Sequence, residues 1–327
     1  MDLRQLRSFL AVLDQGSFSS AADALFTVQS NVSSHVARLE TELGTTLLDR
    51  RSRELTPAGI VVERRGREVL RQLAAVSDDL AALENRVIGE VACGTTPSIG
   101  LRVIPPMLAT ATQELPEVSV TVAEAHSGQL VQQLLAGDID VAITTGANNP
   151  ELSSTPLFTE DIVAVLATDS ELCASDNVTI AELNKQKLLL PLQDNPLYEH
   201  ISSAFTHAGI ALQTGLEVGS SSLVQAMVGA GVGVALIPAT AAADGDGLDV
   251  AVRPIKGMAP RNVALSLRNS TQNDRATVAI HGLLERTARQ AATWMPGCHP
   301  TPEATAEQTQ VSPQDPEDVL DVVSMRE

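Results

Sequence analysis

The chain is poor in aromatic residues, with one Trp, one Tyr and five Phe among 327 positions. Leucine, valine and alanine must therefore fill its cores, and the length allows two or three domains. Cysteine is as scarce. Cys93, Cys173 and Cys298 stand far apart, with none of the close spacings of a metal site. They read as free thiols in a reducing compartment. Arg4 and Arg7 are not followed by a continuous apolar run, so no signal peptide is visible and a cytoplasmic protein is expected. One long stretch lacks charge, residues 218–243. It holds Ser220, Ser221, Ser222, Gln225, Pro238 and alternate glycines at 229, 231 and 233. It reads as helix, turn and buried strand, not as a membrane span. Those glycines follow a helix, whereas a dinucleotide fingerprint follows a strand. No nucleophile elbow, phosphate loop or metal cluster is visible, and no cofactor is expected.

Positive charge is also in short supply. The formal net charge is −18. Residues 1–89 hold 11 Arg, no Lys and 12 acidic residues, a net of −1, and the remainder carries −17. Any contact with nucleic acid must come from a local basic edge, which Arg50, Arg51, Arg53, Arg64, Arg65 and Arg67 supply.

What the sequence does contain is concentrated in residues 17–59. Residues 17–25 put Ala21, Ala22 and Leu25 on one apolar helical face, with Ser17 as N-cap. Residues 28–43 carry Val32, Val36, Leu39 and Leu43 as one buried stripe, with Thr27 a candidate cap and Gly44 a stop. The opposite face shows Ser30, Asn31, Ser34 and Arg38, flanked by Gln29 and Ser33. Such side chains suit the donors and acceptors of the DNA major groove, although a solvated face has the same composition. Leu47, Leu48 and Leu55 then bracket a basic tip with Arg50, Arg51 and Arg53. This pattern suits a two-stranded wing that meets phosphates or a minor groove. Thr56 and Pro57 open the next helix.

Over these residues the chain resembles the winged helix-turn-helix of the LysR-type transcriptional regulators. The matching positions are Ala21, Ala22, Leu25, Gln29, Ser33, Arg38, Leu39, Glu40, Glu42, Leu43, Gly44, Leu47, Leu48, Arg50, Leu55, Thr56, Ala58 and Gly59. Residues 1–15 resemble the family's first helix. Val28 departs from the family's Ser, Leu48 from its Phe and His35 from its Gln. At 35 a surface histidine is expected. Some relatives sense peroxide, but their cysteines are arranged more closely than these three.

Residues 57–84 read as one helix with two interleaved heptad series. The first is Val62, Val69, Val76 and Leu83, and the second is Gly66, Leu73 and Leu80. They describe a coiled-coil seam or an amphipathic helix packed on its own domain. The resemblance implies the seam, and with it a dimer whose recognition helices reach two half-sites. Residues 87–89 are the expected hinge.

From Gly89 strands alternate with helices. Strands are predicted over 90–94, 118–124 and 140–145, and helices over 101–114 and 128–136. An apolar run over 157–167 opens a second unit. That unit has helices over 179–184, 197–208 and 221–228 and strands over 187–190, 214–218 and 234–237. The chain then returns through a strand over 263–267 and ends in a helix over 273–294. The alternation argues for parallel sheet with crossovers. Residues 137–143, with Leu223, Val224, Gly229, Gly231, Gly233 and Pro238, resemble the LysR effector-binding domain, which is like the periplasmic binding proteins. The resemblance covers residues 1 to about 294.

The expected class is α plus α/β. It comprises a winged helix-turn-helix (1–58), a linker helix and hinge (59–89), and a two-lobed, periplasmic-binding-protein-like effector domain (90–295). Lobe I takes 90–164 and 266–295, and lobe II takes 165–265. Residues 296–327, with seven acids against one Arg, read as a disordered tail. Ligands in such sheets sit at the carboxyl ends of strands. The candidates there are Thr95, Thr96, Ser98, His126, Ser127, Thr145 and Gly146, joined from the second unit by Asp194, Ser220 and Ser221. Each hydroxyl is equally at home as a plain helix cap. The resemblance implies a small carboxylate or aromatic metabolite, while the absence of Arg and Lys from these loops argues against a highly charged ligand.

The reading that follows is a regulator that binds a double-stranded DNA operator as a dimer or tetramer. A small-molecule effector modulates it, and it meets RNA polymerase if it activates. It is not an enzyme and has no membrane partner. The alternative is an α/β binding protein or enzyme using the interlobe cleft. Asp138 and Asp140 resemble paired carboxylates but flank a turn into a buried strand.

Overall fold

The computed structural model describes residues 1–49, 54–82, 86–146, 149–213, 215–242, 247–271 and 274–301, with backbone alone at 71, 74, 75 and 77–82. The head is built from α1 (Leu3–Gln15), α2 (Phe18–Ala24) and α3 (Gln29–Leu43). Asp2 and Gln5 close a capping box on α1, and Ser17 caps α2 through Ser20 N at 3.0 Å. Leu6, Phe9, Leu10, Ala21, Ala22, Val32, Val36 and Leu39 form the shared core. Leu43, expected to close the α3 stripe, is 39% exposed.

Thr27 is not the cap of α3. Phe26 turns the chain at φ 52, Val28 becomes the N-cap, and Thr27 Oγ1 accepts instead from Asn31 Nδ2 at 3.0 Å. The wing base is present. Leu48 and Leu55 pair antiparallel, Asp49 N donates to Glu54 O at 2.9 Å, and Thr56 N donates to Leu47 O at 3.0 Å.

The linker helix α4 (Pro57–Ala82) serves two partners in turn. Val62 and Leu70 pack on the head core. Gly66 is buried against α1, where a Cβ would lie 2.6 Å from Leu6 Cδ1. It is a close-approach position, not a seam member. Val69, Leu73 and Val76 remain exposed and form the unpartnered stripe. Leu80 and Leu83, the last expected seam positions, lie outside the described side chains.

The rest folds as two lobes. Their elements are β1 (Gly89–Thr95), α5 (Pro97–Glu114), β2 (Val118–Glu124), α6 (Ser127–Ala136), β3 (Val141–Thr145), β4 (Leu152–Glu160) and β5 (Ile162–Ala167). After these come β6 (Val178–Thr179), α7 (Ile180–Leu183), β7 (Leu188–Leu190), α8 (Pro196–His207), β8 (Leu216–Glu217) and α9 (Ser221–Gly229). The chain ends in β9 (Val234–Pro238), β10 (Val250–Lys256), β11 (Arg261–Arg268), α10 (Arg275–Ala292) and β12 (Cys298–Pro300). Lobe I has the strand order β12-β4-β11-β3-β1-β2, and lobe II the order β6-β10-β5-β9-β7-β8.

Three expectations need correction. The sheets are mixed, because β3–β11, β4–β11 and β5–β9 are antiparallel. The chain changes lobe at Asp161 and again between β10 and β11, so the divisions at 165 and 266 fell a few residues late. The run over 157–167 is two strands in different sheets, split at Asp161. Finally, the tail does not begin at 296, since Cys298–Pro300 pairs with β4 as an edge strand. Residues 302–327 lie outside the described residues.

Phe26 is 98% exposed and is the one non-glycine residue with positive φ among the described residues. Its ring gains nothing from packing while its backbone is strained. Phe26→Asn, a residue that tolerates this region, is expected to raise stability by about 1 kcal/mol in denaturant unfolding.

Candidate nucleic-acid interface and ligand cleft

The buried stripe of α3 fixes what the opposite side shows. Gln29, Ser30, Asn31, Ser33, Ser34 and Arg38 are all exposed, with Val32, Val36 and Leu39 beneath them. Glu40 joins this helix to the wing, because its Oε1 accepts from Leu47 N at 2.7 Å. Gly59 allows the wing to close, since a Cβ there would lie 2.1 Å from Leu47 O. Glu42 Oε1 accepts from Gln5 Nε2 at 2.9 Å. Glu40 and Glu42 thus tie the helices and wing together. His35 is half-buried, not superficial, and its Nδ1 lies 2.8 Å from Ser8 Oγ.

The basic edge is smaller than expected. Arg64 and Arg65 are exposed, but Arg67 is turned inward. Its Nη2 donates to Asp14 Oδ1 at 2.6 Å and to Glu63 Oε1 at 3.0 Å, and its Nε is 3.8 Å from Asp138 Oδ1 of lobe I. Burial opposes its charge, yet the hydrogen bonds to Asp14 and Glu63 hold its pKa above the ordinary value. Arg50, Arg51 and Arg53 lie outside the described residues. Asp140 is structural as well. Its Oδ2 accepts from Ala92 N at 2.9 Å, and its Oδ1 is 3.3 Å from Arg268 Nη2.

A cavity of about 540 Å³ lies between the lobes. Lobe I contributes Ser127, Thr145 and Gly146, three of the expected residues, and lobe II contributes Glu199, His200 and Ser203. Ser127 Oγ accepts from Thr145 N at 2.9 Å and lies 2.9 Å from Thr145 Oγ1, which fixes this wall. His126 Nε2 reaches across the lobes to within 3.9 Å of Asp194 Oδ2. Thr95 is fully buried, its Oγ1 bonded to Thr96 O at 3.2 Å. Ser220 is an ordinary cap, accepting from Leu223 N at 3.4 Å, and with Ser221 it does not line this cavity.

Thr96 differs from those caps. It precedes the 18-residue helix α5, makes no side-chain cap bond, and is only 6% exposed with an unpartnered hydroxyl. Ser98 is half-buried in the first turn of the same helix. A helix N-terminus beside a buried hydroxyl without a partner is an anion-seeking position.

Glu199, His200 and Ser203 were missed because their place on the cavity wall comes from the lobe-to-lobe gap. The spacing of 199 and 203 on one helical face, opening at Asn195 and Pro196, is the only sequence trace they leave.

Burial pushes the thiols of Cys93 and Cys298 up to about 12. Both are held as thiols at neutral pH, which disfavours attack on peroxide. Among the described residues no His, Cys, Asp and Glu group is arranged to hold a metal, and no helix is long and apolar enough to cross a membrane.

A DNA-reading head joined by a helix to a two-lobed ligand cleft defines a one-chain transcription regulator. Residues 3–60 match the model of the bacterial regulatory helix-turn-helix protein, lysR family, and residues 84–289 match the LysR substrate binding domain. The chain belongs to the LysR family. It is 31% identical over 246 residues to the nitrogen assimilation regulatory protein nac of Klebsiella aerogenes, spanning 74% of this chain and 80% of that protein. It is 28% identical over 244 residues to the DNA-binding transcriptional dual regulator OxyR of Escherichia coli (strain K12), with 74% and 80% covered. In fold it is similar to a full-length OxyR variant from Pseudomonas aeruginosa, with TM-score 0.72, 23% identity, and 88% and 99% of the chains covered. It is also similar in fold to full-length CbnR complexed with its target DNA, with TM-score 0.63, 24% identity, and 88% and 100% covered. The chain is therefore a DNA-binding transcriptional regulator of LysR type with a small-molecule effector domain, not an enzyme.

Thr96→Val keeps the shape and removes the orphaned hydroxyl. It is expected to raise the stability of the ligand-free protein by about 1 kcal/mol, read as the denaturant midpoint.

Proposed function

We propose that α3 enters the major groove and reads base edges through Gln29, Ser30, Asn31, Ser33, Ser34 and Arg38. The wing arginines Arg50, Arg51 and Arg53 meet the backbone beside it. The observation that carries this reading is the unbroken exposed polar face over buried Val32, Val36 and Leu39. The exposed stripe of Val69, Leu73 and Val76 supports dimerisation through α4, which brings two heads to two half-sites. A tetramer doubles that arrangement, and an activating complex adds contact with RNA polymerase. The protein works in the cytoplasm, where the DNA is.

The effector occupies the interlobe cleft. A carboxylate sits at the N-terminus of α5, beside Thr96 and Ser98, with Ser127, Thr145 and Gly146 forming the adjoining wall. Occupancy changes the lobe arrangement and so the placement of the heads. It does so only as far as the effector's affinities for the two arrangements differ.

Binding of the full-length protein to the DNA upstream of its own gene, at stated salt, tests the groove assignment. Arg38→Ala and Ser34→Ala are each expected to weaken footprinted binding by about tenfold, a single base contact being worth about 1–3 kcal/mol. Unchanged affinity in both folded variants would remove α3 from the interface.

A further inference from the structure

The basic edge of the head is left with cations that nothing neutralises. Arg64 and Arg65 are exposed on α4, and among the described residues neither has a hydrogen bond or an ion pair. The nearby acids are taken. Asp14, Glu63 and Asp138 all turn to Arg67, which stands within one helical turn of Arg64.

The opposite charge lies at the other end of the chain. Residues 302–327 carry seven acids against Arg326 alone, and Asp315, Glu317, Asp318 and Asp321 fall within seven positions. The fold aims this segment at the head. β12 is antiparallel to β4, β4 to β11 and β11 to β3. β12 therefore runs opposite to β3 and to its parallel neighbour β1. It points towards the side of lobe I where β1 and β3 begin. On that side α4 arrives, and Arg67 lies 3.8 Å from Asp138, just before β3.

The distance is within reach. Pro300 is level with Thr145 at the far end of β3, three strands away in the sheet. Three strand spacings and the length of β3 combine to ~22 Å. The chain from Thr301 to Asp315 extends to ~46 Å. A segment of opposite charge leaves lobe I in the direction of two unneutralised arginines, with length to spare.

Resting on the DNA-binding reading of the head above, we propose that residues 302–327 dock on the head of this chain, with the acidic run 315–321 on Arg64 and Arg65. The docked segment stands where DNA phosphates would lie at this edge, so it competes with DNA. Because it is tethered, its effective concentration is of millimolar order, and a weak intrinsic affinity suffices.

The test compares three full-length proteins. The first is the unaltered chain, and the second carries Glu317→Gln, Asp318→Asn and Asp321→Asn. The third is a charge-matched control with Asp169→Asn, Glu171→Gln and Asp176→Asn, three exposed carboxylates of lobe II. Reaction of Arg64 and Arg65 with phenylglyoxal, an arginine-selective dicarbonyl, is followed by mass spectrometry without DNA. At about 50 mM salt both arginines should react about fivefold faster in the tail variant, and the control should match the unaltered chain. At about 500 mM salt all three should react alike, because the attraction is screened. Affinity for a duplex of arbitrary sequence at low salt should rise about fivefold in the tail variant alone. Equal reactivity in all three proteins at low salt overturns the docking. A gain shared by the control reflects net charge and overturns it as well. Faster reaction in the tail variant with unchanged duplex affinity supports the docking but overturns the competition, and places the failure in the DNA reading of this edge.

Discussion

Glu160 is the point on which the two-lobed architecture turns. It ends β4, is fully buried, and belongs to lobe I. Arg261, which opens the returning strand β11, donates Nε to Glu160 Oε2 at 2.8 Å. Thr240, just after β9 in lobe II, donates its backbone N to Oε1 at 2.9 Å, and its hydroxyl donates to the same oxygen. Both chain crossings and one wall of lobe II thus close on a single carboxylate. Arg102 Nε adds a bond from α5 to Thr240 O at 3.4 Å, and Asp161 N donates to Gly297 O at 2.8 Å. Removing one partner of such a buried pair costs about 3–5 kcal/mol, because the other charge is left unpaired. The clasp thus ties lobe I to lobe II at the point where the chain crosses between them.

Movement in the cleft matters only if it reaches the head. Lobe I touches the head through Arg67, which is held by Asp14 of α1 and Glu63 of α4 and lies near Asp138 at the entry to β3. Asp138 follows directly on α6, whose first residue, Ser127, lines the ligand cavity. One helix therefore separates the cleft from the junction with the DNA-binding domain. The head itself is braced, since Glu40 holds the wing and Gly66 lets α1 seat against α4. The head is thus packed as one body with the first turns of the linker helix.

Much of this was legible in the residues. The head declared itself through a long ordered pattern, and Ser17, Val32, Val36, Leu39 and the Leu48–Leu55 return stand where their chemistry put them. Features set by long-range contact were not legible. The Glu160–Arg261 clasp joins residues far apart in the chain, and nothing local marks either. Gly66 reads locally as a member of the second heptad series, because only the fold brings Leu6 against it. Arg67 counted as a free charge until Asp14 and Asp138 closed on it. Strand β10 was missed because Val250–Lys256 contains Arg253 and Pro254 and lacks clean alternation. In the cleft, strand ends identified Ser127 and Thr145 directly, but the facing wall on α8 depends on how the lobes meet.

Coupling between the sites is reciprocal, so it can be tested without naming the effector. The most direct measurement is the interlobe distance distribution of the full-length protein, by pulsed electron resonance. Spin labels would replace the exposed Gln132 and Thr206, with the native cysteines removed. A DNA duplex selected for tight binding should shift or narrow that distribution, and a scrambled duplex should not. Superimposable distributions with and without saturating selected DNA would contradict control of the head by the cleft.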